Sequence, residues 1–282
     1  MSRGRSGSRM NREGKVQRMS IRYLKEILQN GSNIVCLLGR EAAAQHGGMF
    51  YQRDFGYDIE MKYGILPDEI LSTTYFHNRP QEFFRFYREE ILMKRAEPDG
   101  VNYTLKRMQD DGKLSAIVTR GFYNLSKRVG CRNVIHLYGT IDDNHCPHCG
   151  EKYTADYILE HRPIPKCSKC GTMIHPGVAL AGEMLDSSVM TRAAEAVSCA
   201  DTLLVVGCSL ASRLGSLERY FNGNKIALVN TREHYTDRRA DCVCIGPSLE
   251  DILISAYPGA DPGPDCGKTA GDANTDEERN ER

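Results

Sequence analysis

Six short runs of consecutive apolar residues recur along the chain, and the longer segments between them carry apolar residues at helical spacing. Continuous apolar runs are typical of parallel strands that are covered on both faces of a sheet. Strands that alternate with helices predict an α/β fold with an open, doubly wound parallel sheet. The predicted strands are 33–38, 114–119, 134–138, 202–207, 225–230 and 241–246.

The clearest predicted helices lie in three of the intervening segments. One begins after Ser20, a second carries an aromatic stripe over 80–94, and a third runs over 188–199. Amphipathic helices normally bury their apolar face, so the aromatic stripe predicts core packing and not a ligand site.

Four of the eleven cysteines share a regular spacing, and each pair is followed by glycine. The pattern consists of Cys146-x-x-Cys149 and Cys167-x-x-Cys170. Two such pairs supply four thiolates, the closed ligand set of structural zinc. Two unrelated pairs would leave both spacings and both glycines unexplained. We therefore predict a structural Zn²⁺ that has no open position for catalysis.

Composition limits the domain organisation and the partners. The chain has 282 residues, of which 37 are basic and 37 acidic, so a general affinity for nucleic acid or for a membrane surface is not expected. It shows neither a membrane-spanning stretch nor a secretory signal, which predicts a cytoplasmic protein. A basic arm (1–19) and an acidic tail (258–282) are predicted to be disordered. The domain between them carries the zinc insertion over about 141–178.

Glycine or polar residues follow three of the predicted strands, at the edge where such sheets bind ligands. Gly39 follows the first strand, and Gly207 and Ser209 follow the fourth. A glycine turn with a free amide and a nearby hydroxyl could hold a phosphate or a ribose. Asn230 ends the fifth strand, where its side chain could contact a ribose or cap a turn.

Taken in order, several segments resemble the sirtuins over about residues 20–255. The matching segments are 67–72, 79–90, 118–150, 173–183 and 205–210. Sirtuins are NAD-dependent protein-lysine deacylases with a Rossmann-type domain, here about 20–140 and 179–257, and a small zinc domain. The resemblance implies that NAD and an acylated protein or peptide meet in the cleft between the two domains. Gly207, Ser209 and Asn230 match positions that serve the adenosine half of NAD.

The chain departs from the sirtuin pattern where the family contacts its ligands. Gly-Ala-Gly-Ile-Ser is replaced over 39–43, Pro-Asp-Phe-Arg over 49–52, and Thr-Gln-Asn-Ile-Asp over 119–123. The family's catalytic histidine falls on Tyr138, and a phenol with an ordinary pKa of about 10 is a poor base at neutral pH. His136 could replace the missing base, or it could serve as a hydrogen-bonding structural group.

The replaced glycine motif brings a carboxylate close to the expected phosphate site. At about 4 Å and an effective dielectric near 20, the repulsion between Glu41 and a phosphate would cost roughly 4 kcal/mol. Two arrangements would reduce this cost: Arg40 could pair with the phosphate, or Glu41 could turn away.

Three functions remain open at this point. The first is a sirtuin-fold zinc protein that is impaired in ordinary deacylation and binds NAD, ADP-ribose or a protein partner. The second is an active NAD-dependent deacylase or ADP-ribosyl transferase rearranged around His136 and Tyr138, and the third is a structural partner-binding module. The first is preferred, because the scaffold motifs persist while the ligand-facing positions differ together.

Overall fold

A computed structural model of the chain describes residues 21–44 and 55–259. The predicted basic arm, nearly all of the predicted acidic tail and the replaced motif over 49–52 lie outside the described residues.

Eight strands form two sheets: β1 Ile34–Leu38, β2 Leu114–Thr119, β3 Val134–His136, β4 Asn144–His145, β5 Lys152–Tyr153, β6 Thr202–Val206, β7 Lys225–Asn230 and β8 Cys242–Ile245. The main sheet has the order β3-β2-β1-β6-β7-β8, and all its pairs are parallel. β4 and β5 form a small antiparallel hairpin. The predicted doubly wound parallel sheet is therefore confirmed, and its strand order reverses between β1 and β6, where Rossmann-type sheets bind ligands.

Helices cover both faces of the main sheet and its carboxyl edge: α1 21–30, α2 Arg40–Ala44, α3 Phe55–Tyr63, α4 Pro67–Ile70, α5 Thr73–Asn78, α6 Pro80–Phe86, α7 Gly100–Asp110, α8 Leu125–Arg128, α9 Ala155–Glu160, α10 Ser187–Cys199 and α11 Leu249–Ala256. A π-helical turn over Tyr87–Leu92 continues α6, and 3₁₀ turns cover Gly215–Tyr220 and Tyr235–Arg239. Within 21–44 and 55–259, no helix combines the length and the apolar character needed to cross a membrane.

The central position of β1 in the sheet explains why this strand is apolar throughout. Ile34, Cys36 and Leu38 join one core cluster, which also contains residues of α1, α7 and α11. Val35 and Leu37 point to the opposite face and join a second cluster with residues of α10. Since successive side chains of a strand alternate between faces, a strand covered on both sides needs no polar position.

A third core cluster lies beside the sheet and joins two parts of the chain that are distant in sequence. It combines the aromatic stripe, including Phe83, Phe84 and Tyr87, with buried residues of the insertion such as Ile158. The stripe is therefore core, as predicted. The helices over 55–92 and the insertion form one lobe that faces the carboxyl edge of the sheet.

Arg88 links the two parts of this lobe by hydrogen bonds in its interior. Its side chain is buried and donates hydrogen bonds to the carbonyl oxygens of Ile158, His161 and Pro163, at 2.6 to 2.9 Å. Burial lowers the pKa of Arg88 to about 10. The guanidinium is still charged near neutral pH, and it satisfies three carbonyls where α9 ends.

The predicted third strand is shorter than expected. It ends at His136, and Leu137 and Tyr138 already belong to a turn. Gly139 follows with a φ of 69°, and a Cβ atom there would lie 2.0 Å from the carbonyl oxygen of Gly177. The chain thus leaves the sheet early, because it must turn closely past the segment over 177–178 at the end of the insertion.

We expect Gly39→Ala to destabilise the protein. A Cβ atom on Gly39 would lie 2.1 Å from the carbonyl oxygen of Gly207, and backbone cannot yield as a flexible side chain can. Overpacking of this kind costs about 1–3 kcal/mol in the free energy of unfolding.

The matched control is Gly56→Ala, since Gly56 lies in α3 with no atom within 4 Å of its added Cβ. Alanine favours helix, so this variant should match the wild type or gain up to about 1 kcal/mol. Urea unfolding followed by circular dichroism measures both variants. Equal stability of the two would show that the close approach at Gly39 imposes no constraint.

Candidate nucleotide site and cysteine cluster

Two of the predicted glycines meet at the point where the strand order reverses. The amide of Gly39 donates to the carbonyl oxygen of Val206 at 2.7 Å, which ties the end of β1 to the end of β6. Gly207 follows directly with a φ of 65°. The two loops can therefore run side by side at the edge of the sheet.

A cavity of about 190 Å³ opens at this junction. Gly39, Gly207 and Ser209 line it, so the structure brings three of the four predicted nucleotide residues together. The loop after β6 is held in place by a hydrogen bond, because the amide of Leu210 donates to the buried carboxylate of Asp237 at 3.0 Å. A rigid loop with a serine beside a glycine turn is suited to a phosphate or a sugar hydroxyl.

The fourth predicted residue, Asn230, lies buried at the end of β7 and does not line this cavity. Its side-chain oxygen accepts from the amide of Thr231 at 2.9 Å, which is a local turn contact. The Thr231 hydroxyl donates in turn to the carboxylate of Glu41 at 2.7 Å. Glu41 is thus held on the β7 side of the cavity. Arg40 lines the same cavity.

His136 is a half-buried histidine at the end of β3. Its Nδ1 lies 2.8 Å from the carbonyl oxygen of Gly121, and since a carbonyl only accepts, we assign the proton to Nδ1. Burial lowers the pKa of His136. The other ring nitrogen, Nε2, is buried and has no hydrogen-bond partner among the described residues.

Between His136 and the loop after β1 the structure leaves little space. A cavity of about 30 Å³ is lined by His136, Thr119 and Gly121, and by Gly39 from the opposite loop. That volume corresponds to one or two water positions.

Tyr138, at the position of the family's catalytic histidine, faces a different and wider space. The guanidinium carbon of Arg120 lies 4.9 Å from the centre of its ring, a cation–π contact. Tyr138 and Arg120 line a cavity of about 420 Å³ between the sheet edge and the lobe. His136 and Tyr138 both border a further cavity of about 510 Å³, so the structure brings these two residues near one another without placing them in one small pocket.

The segment over 178–182 forms one wall of the wider cavity and has few free amides. The amides of Ala179 and Ala181 donate to the carbonyl oxygens of Tyr138 and Leu71. The amide of Leu180 donates to the Glu183 carboxylate at 2.7 Å. The carbonyls of Leu180 and Ala181 already accept from the amides of Glu183 and Thr73, which among the described residues leaves the Ala179 carbonyl to pair with a partner strand.

Sequence reasoning missed one polar pair in this wall. The Nε2 atom of His175 lies 2.6 Å from the carboxylate of Glu183, which also holds the segment before it. The two residues are eight positions apart with no regular element between them, so no periodicity indicated the contact.

The four predicted cysteines form one cluster. Their sulfur atoms lie within 4.8 Å of one another, and no other such group of possible metal ligands occurs in the described part of the chain. The Cys146–Cys170 and Cys149–Cys167 sulfurs are 3.4 and 3.5 Å apart. Tetrahedral zinc with Zn–S bonds of about 2.3 Å requires sulfur separations of about 3.8 Å. The cluster could therefore hold a metal ion after a small expansion.

The chain around the cluster lowers the pKa of Cys167 and Cys170, whereas the pKa of Cys149 is raised to about 12 by the neighbouring thiols. Gly150 and Gly171 adopt φ values of 73° and 75°, and their amides donate back to the carbonyls of Cys146 and Cys167. The Tyr153 hydroxyl donates to the Cys167 sulfur at 3.1 Å and lowers the pKa of Cys167 to about 6. Thiolates are the species that bind zinc.

Comparison with known proteins agrees with this arrangement. A family model described as the Sir2 family matches residues 50–213. The chain is 36% identical to an NAD-dependent protein deacetylase of Clostridium acetobutylicum over 239 residues, which cover 83% of this chain and 98% of the relative.

Two solved structures extend the similarity to three dimensions. One is Sir2 bound to acetylated peptide, with a TM-score of 0.71, 25% identity and coverage of 83% and 95% of the two chains. The other is a Sir2 histidine-to-tyrosine mutant with p53 peptide and NAD, with a TM-score of 0.69, 26% identity and coverage of 84% and 96%. With its six-stranded sheet and four-cysteine cluster, the chain belongs to the Sir2 family, the sirtuins.

Proposed function

We propose that this sirtuin binds an adenine nucleotide at the ends of β1 and β6 and is impaired in ordinary lysine deacylation. One observation carries the proposal. The cavity at the strand reversal keeps Gly39, Gly207 and Ser209, whereas the position of the family's catalytic histidine holds Tyr138 beneath Arg120. The nucleotide-facing half of the site is thus preserved and the proton-transfer half is replaced.

The small cavity beside His136, Thr119 and Gly121 supports ADP-ribose over NAD as the better ligand. A nicotinamide ring with its carboxamide is several times larger than a water molecule, and the cavity beside Thr119 and Gly121 measures only about 30 Å³. ADP-ribose lacks the nicotinamide and requires no expansion there. Arg40 begins α2 at the cavity rim, where its charge suits a diphosphate.

Binding of an acylated peptide in the cleft is a further part of the proposal. The Sir2 mutant with tyrosine in place of a histidine has p53 peptide and NAD in its structure, so that fold accepts both ligands with that substitution. Its similarity to this chain, together with Tyr138, supports ligand binding that does not depend on the family's catalytic base.

The alternative is an active deacylase or ADP-ribosyl transferase, and one observation favours it. The unprotonated Nε2 of His136 is buried without a partner, as expected for a base that awaits a substrate proton. Its closeness to the small cavity makes it the first residue to test for turnover.

We also propose that Cys146, Cys149, Cys167 and Cys170 bind one structural Zn²⁺. Four thiolates close the coordination sphere, so the ion would stabilise the insertion and take no part in chemistry. The hairpin β4–β5 and α9 have little core of their own and would depend on it.

The nucleotide proposal predicts a measurable effect of the Arg40 charge. Calorimetric titration should show ADP-ribose binding to the zinc-loaded protein, and Arg40→Gln should weaken it about tenfold, or about 1.4 kcal/mol, through loss of a charged phosphate contact. The control Arg22→Gln removes an equal charge from the exposed surface of α1. Absence of ADP-ribose binding at millimolar concentration would refute the proposal.

Turnover distinguishes the proposal from its alternative. With NAD and an acetylated peptide, nicotinamide release should stay at the background rate, and His136→Ala should not change it. The comparison variant is Tyr138→Phe, which removes only a hydroxyl from the same cleft. A clear rate in the wild type that falls at least tenfold in His136→Ala would establish the active enzyme instead.

Zinc removal has a predicted structural consequence. Elemental analysis should find about one zinc per chain, and Cys167→Ser should lose the metal and lower the melting temperature. Cys199→Ser serves as the control, because Cys199 is an exposed free thiol on α10. Full zinc content in Cys167→Ser would exclude the four-thiolate site.

A further inference from the structure

The wider cavity of about 420 Å³ is lined by three arginines that come from separate parts of the fold. Arg40 begins α2, Arg120 follows β2, and Arg213 lies in the loop between β6 and the next 3₁₀ turn. We call these three residues the arginine group. Their convergence at one opening indicates a site for negative charge.

The charges of the arginine group are not neutralised by neighbours. In the part of the chain that the structure describes, no carboxylate forms an ion pair with Arg40, Arg120 or Arg213. Two carboxylates line the same cavity, Asp68 and Glu183, and Glu183 already accepts from its own loop. The balance within the cavity is therefore positive.

Arg120 provides a second, independent indication. Its Nε atom is buried and has no hydrogen-bond acceptor among the described residues. A buried donor without an acceptor is unfavourable, and the Tyr138 ring beneath the guanidinium contacts its face and leaves the Nε–H without an acceptor among the described residues. An anion in the cavity would supply the missing acceptor.

The arginine group is continuous with the nucleotide cavity. Arg40 and Arg120 line both spaces, whereas Arg213 lines only the wider one. A nucleotide whose diphosphate lies near Gly207 can thus extend past the two shared guanidinium groups toward Arg213. This continuity favours an anionic group on the nucleotide over one on a peptide.

We infer that the arginine group binds an additional phosphate that the nucleotide carries beyond its diphosphate. The inference rests on the proposed nucleotide site and names its ligand class: an adenine nucleotide with a third phosphate. That phosphate can belong to a triphosphate chain or to the distal ribose of ADP-ribose. The amide of an acyl-lysine offers one neutral carbonyl acceptor and no negative charge, so three guanidinium groups match a phosphate better.

The test compares matched pairs of ligands by calorimetry on the full-length, zinc-loaded protein without added Mg²⁺. One pair is ADP and ATP, and the other is ADP-ribose and ADP-ribose phosphorylated on its distal ribose. At least one pair should show about tenfold tighter binding of the ligand with the extra phosphate. Whichever pair shows it identifies the source of the phosphate.

Arg213→Gln should reduce this preference to threefold or less, because Arg213 lies only in the wider cavity. The control Arg219→Gln removes an equal charge from an exposed arginine stacked on Tyr220, and it should keep the preference. Thermal melting of both variants checks that they are folded.

Three outcomes overturn the inference. Equal binding within both pairs refutes it while leaving the nucleotide site intact, and absence of binding by all four ligands refutes the nucleotide site as well. A preference that survives in Arg213→Gln would place the phosphate elsewhere. A further arm compares a succinylated with an acetylated peptide. If the succinylated peptide binds more tightly, Arg213→Gln removes that difference and neither nucleotide pair shows a preference, the arginine group binds an acidic acyl chain instead.

Discussion

The close approach of two loops at the centre of the sheet is the constraint on which the site depends. The loops after β1 and β6 run so near each other that a side chain on Gly39 would meet the backbone of Gly207. This contact exists only because the strand order reverses between these strands. It fixes where the nucleotide cavity opens, and it brings Arg40 and Arg120 to its rim. Arg40, Arg120 and Tyr138 are presented to the cleft by the ends of neighbouring strands of the sheet.

Those side chains determine the chemistry of the cleft. Tyr138 borders it, and the guanidinium group of Arg120 lies over the Tyr138 ring. Near it, burial lowers the pKa of His136, while the hydrogen bond to the Gly121 carbonyl acts in the opposite direction. A site that moves protons needs a titratable group in reach of the substrate, whereas a site that holds anions needs fixed positive charge. The described residues satisfy the second requirement more fully than the first.

The sheet and the cysteine cluster could be predicted because their signals are local. Apolar runs mark the covered strands, and two Cys-x-x-Cys pairs mark the cysteine cluster. Strand ends of a parallel sheet share one edge, so Gly39 and Ser209 could also be placed together. The end of β3 at His136 was not predictable, since it is set by Gly139 packing against Gly177, nearly forty positions later. The convergence of Arg213 with Arg120 was hidden for the same reason, because it depends on how two distant loops pack.

Arg88 links parts of the molecule that sequence order keeps apart. Its three hydrogen bonds to the insertion, within a shared core that includes Phe84 and Ile158, join the helices over 55–92 to the metal-bearing segment. These two parts must move as a single body. Any widening of the cleft to admit a ligand is then a motion of the whole lobe relative to the main sheet. Access to the site depends on that motion and not on the insertion alone.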